Sequence, residues 1–217
     1  MTGVDATPVT VTCQAILVVT RAKIRHMSNL PSWYPGTESK PAPMPLLRVQ
    51  AFLNTVNVEE ETDLLADRAA AAEWLTEVGL LPRDSELTDA DLELAREVRD
   101  CLRDLTASEG DDVAQDEDLE ALRKLAAGHT ARLTVGQGGV LGLEDVCGET
   151  FGDALFGLLL IIRGAQLDGT WSRLKMCSNP ECQWIFYDRS RNQQGSWCDM
   201  ASCGNRMKNR QLRARRR

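Results

Sequence analysis

The chain has 217 residues, of which 43% are hydrophobic and 26% are charged, as in a soluble globular protein with one ordinary domain and a small appendage. Its longest apolar run, residues 154–162, is too short to cross a bilayer, and no basic segment precedes the apolar residues 11–20 as a signal peptide requires. Four of the seven cysteines lie close together, which favours a metal site in a reducing cytoplasm over a disulfide scaffold. We therefore expect a cytoplasmic protein with no membrane partner.

The net charge of −7 conceals an uneven distribution of charge along the chain. Residues 171–217 carry eleven Lys and Arg against three Asp and Glu, a net charge of +8, whereas residues 1–170 carry fourteen against twenty-nine, a net charge of −15. An acidic body disfavours non-specific binding to nucleic acid. We expect any binding to a polyanion to be confined to the basic C-terminal module.

Residues 1–45 differ in composition from the rest of the chain. They hold six of the eight prolines and show little periodicity, which predicts a mostly disordered extension with the folded protein beginning near Met44. The sequence leaves open whether this extension is translated in the cell or is an over-long start.

The remaining elements are predicted in chain order from apolar periodicity and from capping or turn residues. Thr88 and Asp91 resemble a capping box at a helix start, and Gly136 to Gly139 suit the turn of a hairpin. The predicted elements are a strand over 46–55, helices over 62–78, 88–105, 119–127 and 149–167, and a hairpin over 133–143. The fold class is therefore α+β, with a predominantly helical body over 46–170, a few short strands, and a small module over 171–217.

The C-terminal module contains two pairs of cysteines. The pairs are Cys177 with Cys182 and Cys198 with Cys203, each spaced C-x4-C and separated by fifteen residues. Two turns that each supply two thiolates meet the need of a tetrahedral Zn²⁺ ion, and four thiolates leave no position for water or substrate. The pattern predicts one structural zinc ion and a four-cysteine zinc finger.

This module resembles the CGNR zinc finger, the C-terminal module of a bacterial family of transcription regulators. The resemblance is carried by residues 177–182 (CSNPEC), 185–192 (IFYDRSRN), 197–200 (WCDM) and 203–208 (CGNRMK). The body resembles the N-terminal, stress-linked ABATE domain of the same family, often described as α/β, through residues 52–55, 61–65, 74–75 and 96–99. The resemblance implies a transcription regulator that binds DNA.

The basic residues around the cysteines are the candidate nucleic-acid contacts. Arg206, Arg210, Arg213 and Arg217 recur at helical spacing on one face, and a cationic face of this kind can follow a phosphate backbone. The full set predicted to contact nucleic acid is Arg189, Arg191, Arg206, Lys208, Arg210, Arg213 and Arg217. One departure from the family is the segment 193–196 (QQGS), where relatives commonly carry arginines, so this loop is less basic than expected.

Other functions stay open at the level of sequence. A zinc-thiolate site can act as a redox or metal sensor for a protein partner, because oxidation releases the ion and lets the thiols pair. Binding of RNA through Trp184 or Trp197 is a third alternative, although packing within the small module is the more ordinary role for these rings. The sequence leaves open the DNA site, the signal, activation against repression, and whether the chain forms homo-oligomers.

The body contains one weaker candidate site. The family resemblance suggests that Asn54, Glu61, Arg96 and Arg99 line a small-molecule or sensor pocket. The sequence has no nucleophile elbow, phosphate-binding loop, dinucleotide glycine pattern or H-E-x-x-H motif, so we expect a protein that is not an enzyme.

Overall fold

A computed structural model describes residues 40–107, 119–145 and 150–215, together with Pro31, Trp33 and Tyr34. The helices are α1 (Leu46–Leu53), α2 (Arg68–Glu77), α3 (Asp89–Ala107), α4 (Glu120–Gly128), α5 (Phe151–Leu167) and α6 (Asn205–Arg215). The strands form three antiparallel pairs: β1 (Val56–Asn57) with β2 (Thr62–Asp63), β3 (Ala131–Val135) with β4 (Leu141–Asp145), and β5 (Leu174–Met176) with β6 (Ile185–Tyr187). No helix within the described ranges is long and apolar enough to span a membrane. The predicted α+β fold class, mainly helical with a few short strands, is confirmed.

The helix α1 replaces the strand predicted over residues 46–55, and that prediction is wrong. The helix lies against α3, α5 and β6, and seven of its eight residues are buried. An apolar segment of only eight residues suits a buried strand as well as a buried helix, so the sequence pattern alone does not separate the two. Tertiary packing decides between the two.

The predicted helix over residues 62–78 begins later than expected. The carboxylate of Asp67 accepts hydrogen bonds from the backbone N–H of Ala69 and Ala70, at 3.0 and 2.9 Å, and so caps the start of α2. The preceding residues Thr62–Asp63 pair with β1 instead. Leu64, which the predicted helix includes, precedes α2 and is 44% exposed.

The other predicted elements agree with the structure. Thr88 and Asp91 exchange hydrogen bonds at the start of α3, as a capping box requires. The hairpin over 133–143 is formed by β3 and β4, with Leu133 opposite Leu143. The apolar helix α5 contributes Leu155 and other buried residues to the main core.

The strand pair β5–β6 joins the C-terminal module to the body. Leu174, Ile185 and Tyr187 belong to the same hydrophobic core as the body helices. The part of the chain that carries the four cysteines therefore shares a core with the body.

Part of the predicted N-terminal extension is folded against this junction. Lys40 accepts a hydrogen bond from the backbone N–H of Tyr187 at 3.0 Å, and Ala42 donates its N–H to the side-chain oxygen of Gln50 at 2.6 Å. Ala42 and Tyr34 are buried in the core. The folded protein therefore begins earlier than Met44, where the sequence predicts its start. Residues 1–30, residue 32 and residues 35–39 lie outside the described residues.

Candidate metal centre and nucleic-acid interface

The four predicted ligands lie together at one centre. The Sγ atoms of Cys177, Cys182, Cys198 and Cys203 all lie within 4.8 Å of one another. Cys198 Sγ is 3.6 Å from Cys182 Sγ and 3.8 Å from Cys203 Sγ. A regular tetrahedron with metal–sulfur bonds of about 2.3 Å has sulfur–sulfur edges of about 3.8 Å. The sulfurs therefore have the spacing that a four-coordinate ion needs.

Backbone hydrogen bonds shape the first pair of ligands into a tight turn. The carbonyl oxygen of Asn179 accepts from the N–H groups of Cys182 and Gln183, at 2.9 and 3.1 Å, and Gln183 has a positive φ of 52°. The Cys177 N–H donates to the carbonyl of Trp184 at 2.9 Å. Asn179 is fully buried, and its Nδ2 donates to Cys203 Sγ at 3.5 Å, so one side chain links the two ligand pairs.

The second pair of ligands leads directly into α6. The carboxylate of Asp199 accepts from the Ser202 N–H at 2.8 Å and starts the π-helical turn Met200–Gly204. Cys203 lies in this turn, and α6 begins two residues later at Asn205. A Cβ on Gly204 would come within 2.6 Å of Met200 Sδ, so glycine suits this close approach.

The short distances between the sulfurs shift the pKa values of the cysteine thiols. A hydrogen bond with Cys182 lowers the pKa of Cys177 to about 2 and, in turn, raises the pKa of Cys182 to about 12. Hydrogen bonds with Cys177 and Cys182 raise the pKa of Cys198 far above its usual value. Thiolates this close repel one another, so full deprotonation needs a bound cation.

A small apolar cluster surrounds the metal centre. Phe186 is buried with three of the cysteines, and Trp184 and Trp197 pack against them as partly buried side chains. Packing within the module, the ordinary role expected for the two tryptophans, is confirmed. Since this cluster is small, a metal ion would supply much of the cohesion that it lacks.

Comparison with known protein families agrees with this architecture. The model of the ABATE domain, described as "Putative stress-induced transcription regulator", matches residues 48–160, more than half of the chain. The chain belongs to the ABATE family. The CGNR zinc finger model matches residues 173–216, which include all four cysteines and α6. A comparison with curated proteins finds no match.

The CGNR finger presents α6 as an exposed basic helix. None of the α6 side chains is buried, and Lys208 and Arg213 are exposed. Among the residues that the structure describes, neither of these two side chains forms an ion pair. Arg217, which the sequence assigns to the same face, lies outside the described residues.

Two other α6 arginines are paired with acidic residues. Arg206 Nη1 lies 2.8 Å from Glu59 Oε1, on the turn between β1 and β2 of the ABATE body. Arg210 donates to the carboxylate of Glu181, in the first ligand turn. The Glu59 carboxylate raises the pKa of Arg206, and the Arg210 guanidinium lowers the pKa of Glu181.

The loop arginines of the CGNR finger differ from each other in their surroundings. Arg189 donates from Nη2 to the carbonyl of Pro41 at 2.6 Å, and so helps to hold the N-terminal segment. Arg191 is exposed. Arg191 is therefore better placed than Arg189 to meet a nucleic acid.

Three of the four suggested sensor residues contact protein groups in the ABATE body. Asn54 pairs with the backbone of Ile185, and Arg96 donates to the carbonyls of Leu65 and Ala66. Arg99 is buried and lies 2.6 Å from Asp63. These contacts give the three side chains structural roles.

The fourth suggested residue, Glu61, lines an open cleft between the body and the finger. The cleft has a volume of about 460 Å³. It is lined by Val58, Glu59, Glu61, Pro180, Glu181 and Arg206. Glu59 and Glu181 are functional candidates that the sequence does not reveal, because they lie 147 and 29 positions from their partners in the chain and share no local pattern with them.

Proposed function

We propose that the protein is a cytoplasmic, non-enzymatic transcription regulator that binds duplex DNA through α6 of its CGNR finger. The observation that carries this proposal is the placement of α6. None of its side chains is buried, it is rich in arginine, and it starts two residues after the last cysteine of the metal centre. A helix of this kind can enter a groove or follow a phosphate backbone.

We assign zinc to the metal centre. Four thiolates form a soft donor set that suits Zn²⁺, and the observed sulfur distances match its tetrahedral geometry. A bound zinc ion would cross-link the two ligand turns through its four thiolate bonds. Cys203 and Asp199 then fix the direction in which α6 leaves the centre.

Arg206, Lys208, Arg210 and Arg213 are the main candidates for contacts to the DNA backbone, with Arg191 as a further contact from the loop. Arginine and lysine displace counterions from DNA, so binding should weaken steeply as salt rises. The acidic body would keep these contacts within the finger, because its own field repels a polyanion.

The test is a salt series of duplex binding with metal content measured on the same sample. We expect one zinc per chain and a steep salt slope. Replacing Arg206, Lys208, Arg210 and Arg213 with alanine removes four cationic contacts. The slope of log K against log salt concentration should therefore become less negative by about three to four. A matched control removes the same charges from the exposed body surface, at Arg68, Arg83, Lys124 and Arg132.

An unchanged slope in the α6 variant would refute the assignment of α6. A clear preference for single strands or loops over duplex would instead indicate RNA. Equal flattening in the control variant would mean that net charge, not α6, governs binding.

A second candidate function, a redox sensor, is supported by Cys198. It is half-buried, whereas the other three cysteines are buried. Hydrogen peroxide would oxidise the thiolates of Cys198 and Cys182, whose sulfurs are 3.6 Å apart, to one disulfide. The peroxide takes up the two electrons of the thiolates and two protons from solvent and becomes two waters, and the loss of two ligands would release zinc. Zinc loss with a change of oligomeric or partner state under mild peroxide supports this function, and retention of zinc opposes it.

A further inference from the structure

We propose that Glu59 and Glu181 act as intramolecular competitors of DNA phosphate for two arginines of α6. We call these two ion pairs, Glu59–Arg206 and Glu181–Arg210, the acidic clamp. This inference rests on the proposed binding of DNA by α6 and adds a mechanism that limits it.

The acidic clamp acts on one face of the helix. Arg206 and Arg210 are four residues apart, so their side chains project from the same side of α6. Glu59 reaches this face from the β1–β2 turn of the body, and Glu181 reaches it from the first ligand turn. Two carboxylates from separate elements therefore meet two successive turns of the basic helix.

Carboxylate and phosphate compete for the same donors. The guanidinium group presents its N–H donors in a planar fork that suits either anion. Arg206 Nη1 already donates to Glu59 Oε1 at 2.8 Å, so a phosphate must displace this carboxylate to use that donor. Repulsion between the two carboxylates and a phosphate adds to the competition.

The clamp is weak enough to open. The side chains of Arg206 and Glu59 are 40% and 44% exposed, and those of Arg210 and Glu181 are 47% and 52% exposed. Ion pairs with this much solvent contact are only slightly favourable and are screened by salt. The clamp should therefore reduce DNA affinity without abolishing it.

The body holds its half of the clamp in place. The Glu60 N–H donates to Asn57 Oδ1 at 3.2 Å, which shapes the turn that carries Glu59. In β2, the strand that follows this turn, Asp63 is bound by the buried Arg99. Since Glu59 belongs to the ABATE body and Arg206 to the finger, the position of one body turn determines how freely α6 meets DNA.

The experiment compares two double variants of the full-length zinc protein. In E59Q/E181Q both clamp carboxylates become neutral amides of the same size. In the control, E60Q/E77Q, two exposed body carboxylates change in the same way, and among the described residues neither forms an ion pair. Both variants lose the same charge, so the control corrects for general electrostatics. Zinc content and circular dichroism verify that both are folded.

At low salt, we expect E59Q/E181Q to bind a DNA duplex about three- to tenfold more tightly than E60Q/E77Q, a gain that should shrink as salt rises. Equal affinities of the two variants, with the wild-type protein also binding, would overturn the clamp and leave the proposed function intact. Absence of duplex binding by all three proteins would overturn the proposed function and the clamp with it.

Discussion

Asn54 pairs with the backbone of Ile185 through both groups of its side-chain amide. Its Nδ2 donates to the Ile185 carbonyl at 2.8 Å, and its Oδ1 accepts from the Ile185 N–H at 2.8 Å. Gln50, one turn earlier on α1, donates to the same carbonyl at 3.1 Å, and Arg103 on α3 donates to the Gln183 carbonyl at 3.0 Å. The body thus holds the backbone of the finger between its two ligand pairs.

This pairing predicts that Asn54→Ala destabilises the whole chain. The substitution leaves the buried Ile185 N–H without its partner, which should cost about 1–3 kcal/mol of unfolding free energy. Urea denaturation of the zinc-loaded protein measures the loss. Asn192→Ala is the matched control, because Asn192 is exposed and, within the described part of the chain, its side chain bonds to Gln194 two positions away. A loss no larger in N54A than in N192A would argue against the role of this contact.

Removal of one metal ligand should affect the body as well as the finger. In Cys198→Ser we expect zinc content to fall well below one per chain and the melting temperature of the whole protein to drop, because Ile185 and Tyr187 share the main core. Cys101→Ala removes a thiol outside the cluster and should retain zinc. A body that melts unchanged after zinc loss would contradict this coupling.

Two Gly→Ala substitutions should change stability in opposite directions. A Cβ on Gly195 would lie 2.9 Å from the carboxylate of the buried Asp188, so G195A should lose about 1–3 kcal/mol. A Cβ on Gly157 inside α5 would meet nothing within 4 Å, so G157A should gain about 0.5–1 kcal/mol. Thermal melting of both variants tests the pair, and a shift of the same sign in both would count against this account.

Arg99 should not tolerate replacement by lysine. Burial by itself lowers the pKa of Arg99, but the hydrogen bonds with Asp63 and Asp100 outweigh this effect, and the net pKa lies above its usual value. The guanidinium therefore stays charged. It donates to Asp63 at 2.6 Å and to Asp100 at 2.9 Å from different nitrogens, which one ammonium group cannot reproduce.

We therefore expect R99K to lose about 1–3 kcal/mol of unfolding free energy in urea denaturation. The same change at the half-exposed Arg68 should have little effect. If R99K were as stable as R68K, a role for Arg99 as a free ligand-binding group would regain support.

The local parts of the fold were predictable from the sequence. Thr88 and Asp91 predicted the start of α3, and the glycines at 136–139 predicted the β3–β4 hairpin, because capping and turn chemistry act within a few residues. The strand predicted over 46–55 failed because α1 has only eight residues and is mostly buried, and an apolar segment of that length suits a strand as well as a helix. The boundary near Met44 failed because Ala42 is ordered by the distant Gln50 and by the shared core.

By itself, the sequence determined the metal centre and the basic helix that follows it. The paired spacing of the four cysteines, together with the family resemblance, indicates the centre, and the helical spacing of Arg206, Arg210 and Arg213 indicates the helix, because the chelate turns and the helix are local. Only the tertiary structure decided that Asn54 serves the finger backbone and that Glu59 meets Arg206. These partners are more than 130 residues apart in the chain, and their pairing depends on how the helices pack, which no short-range pattern encodes.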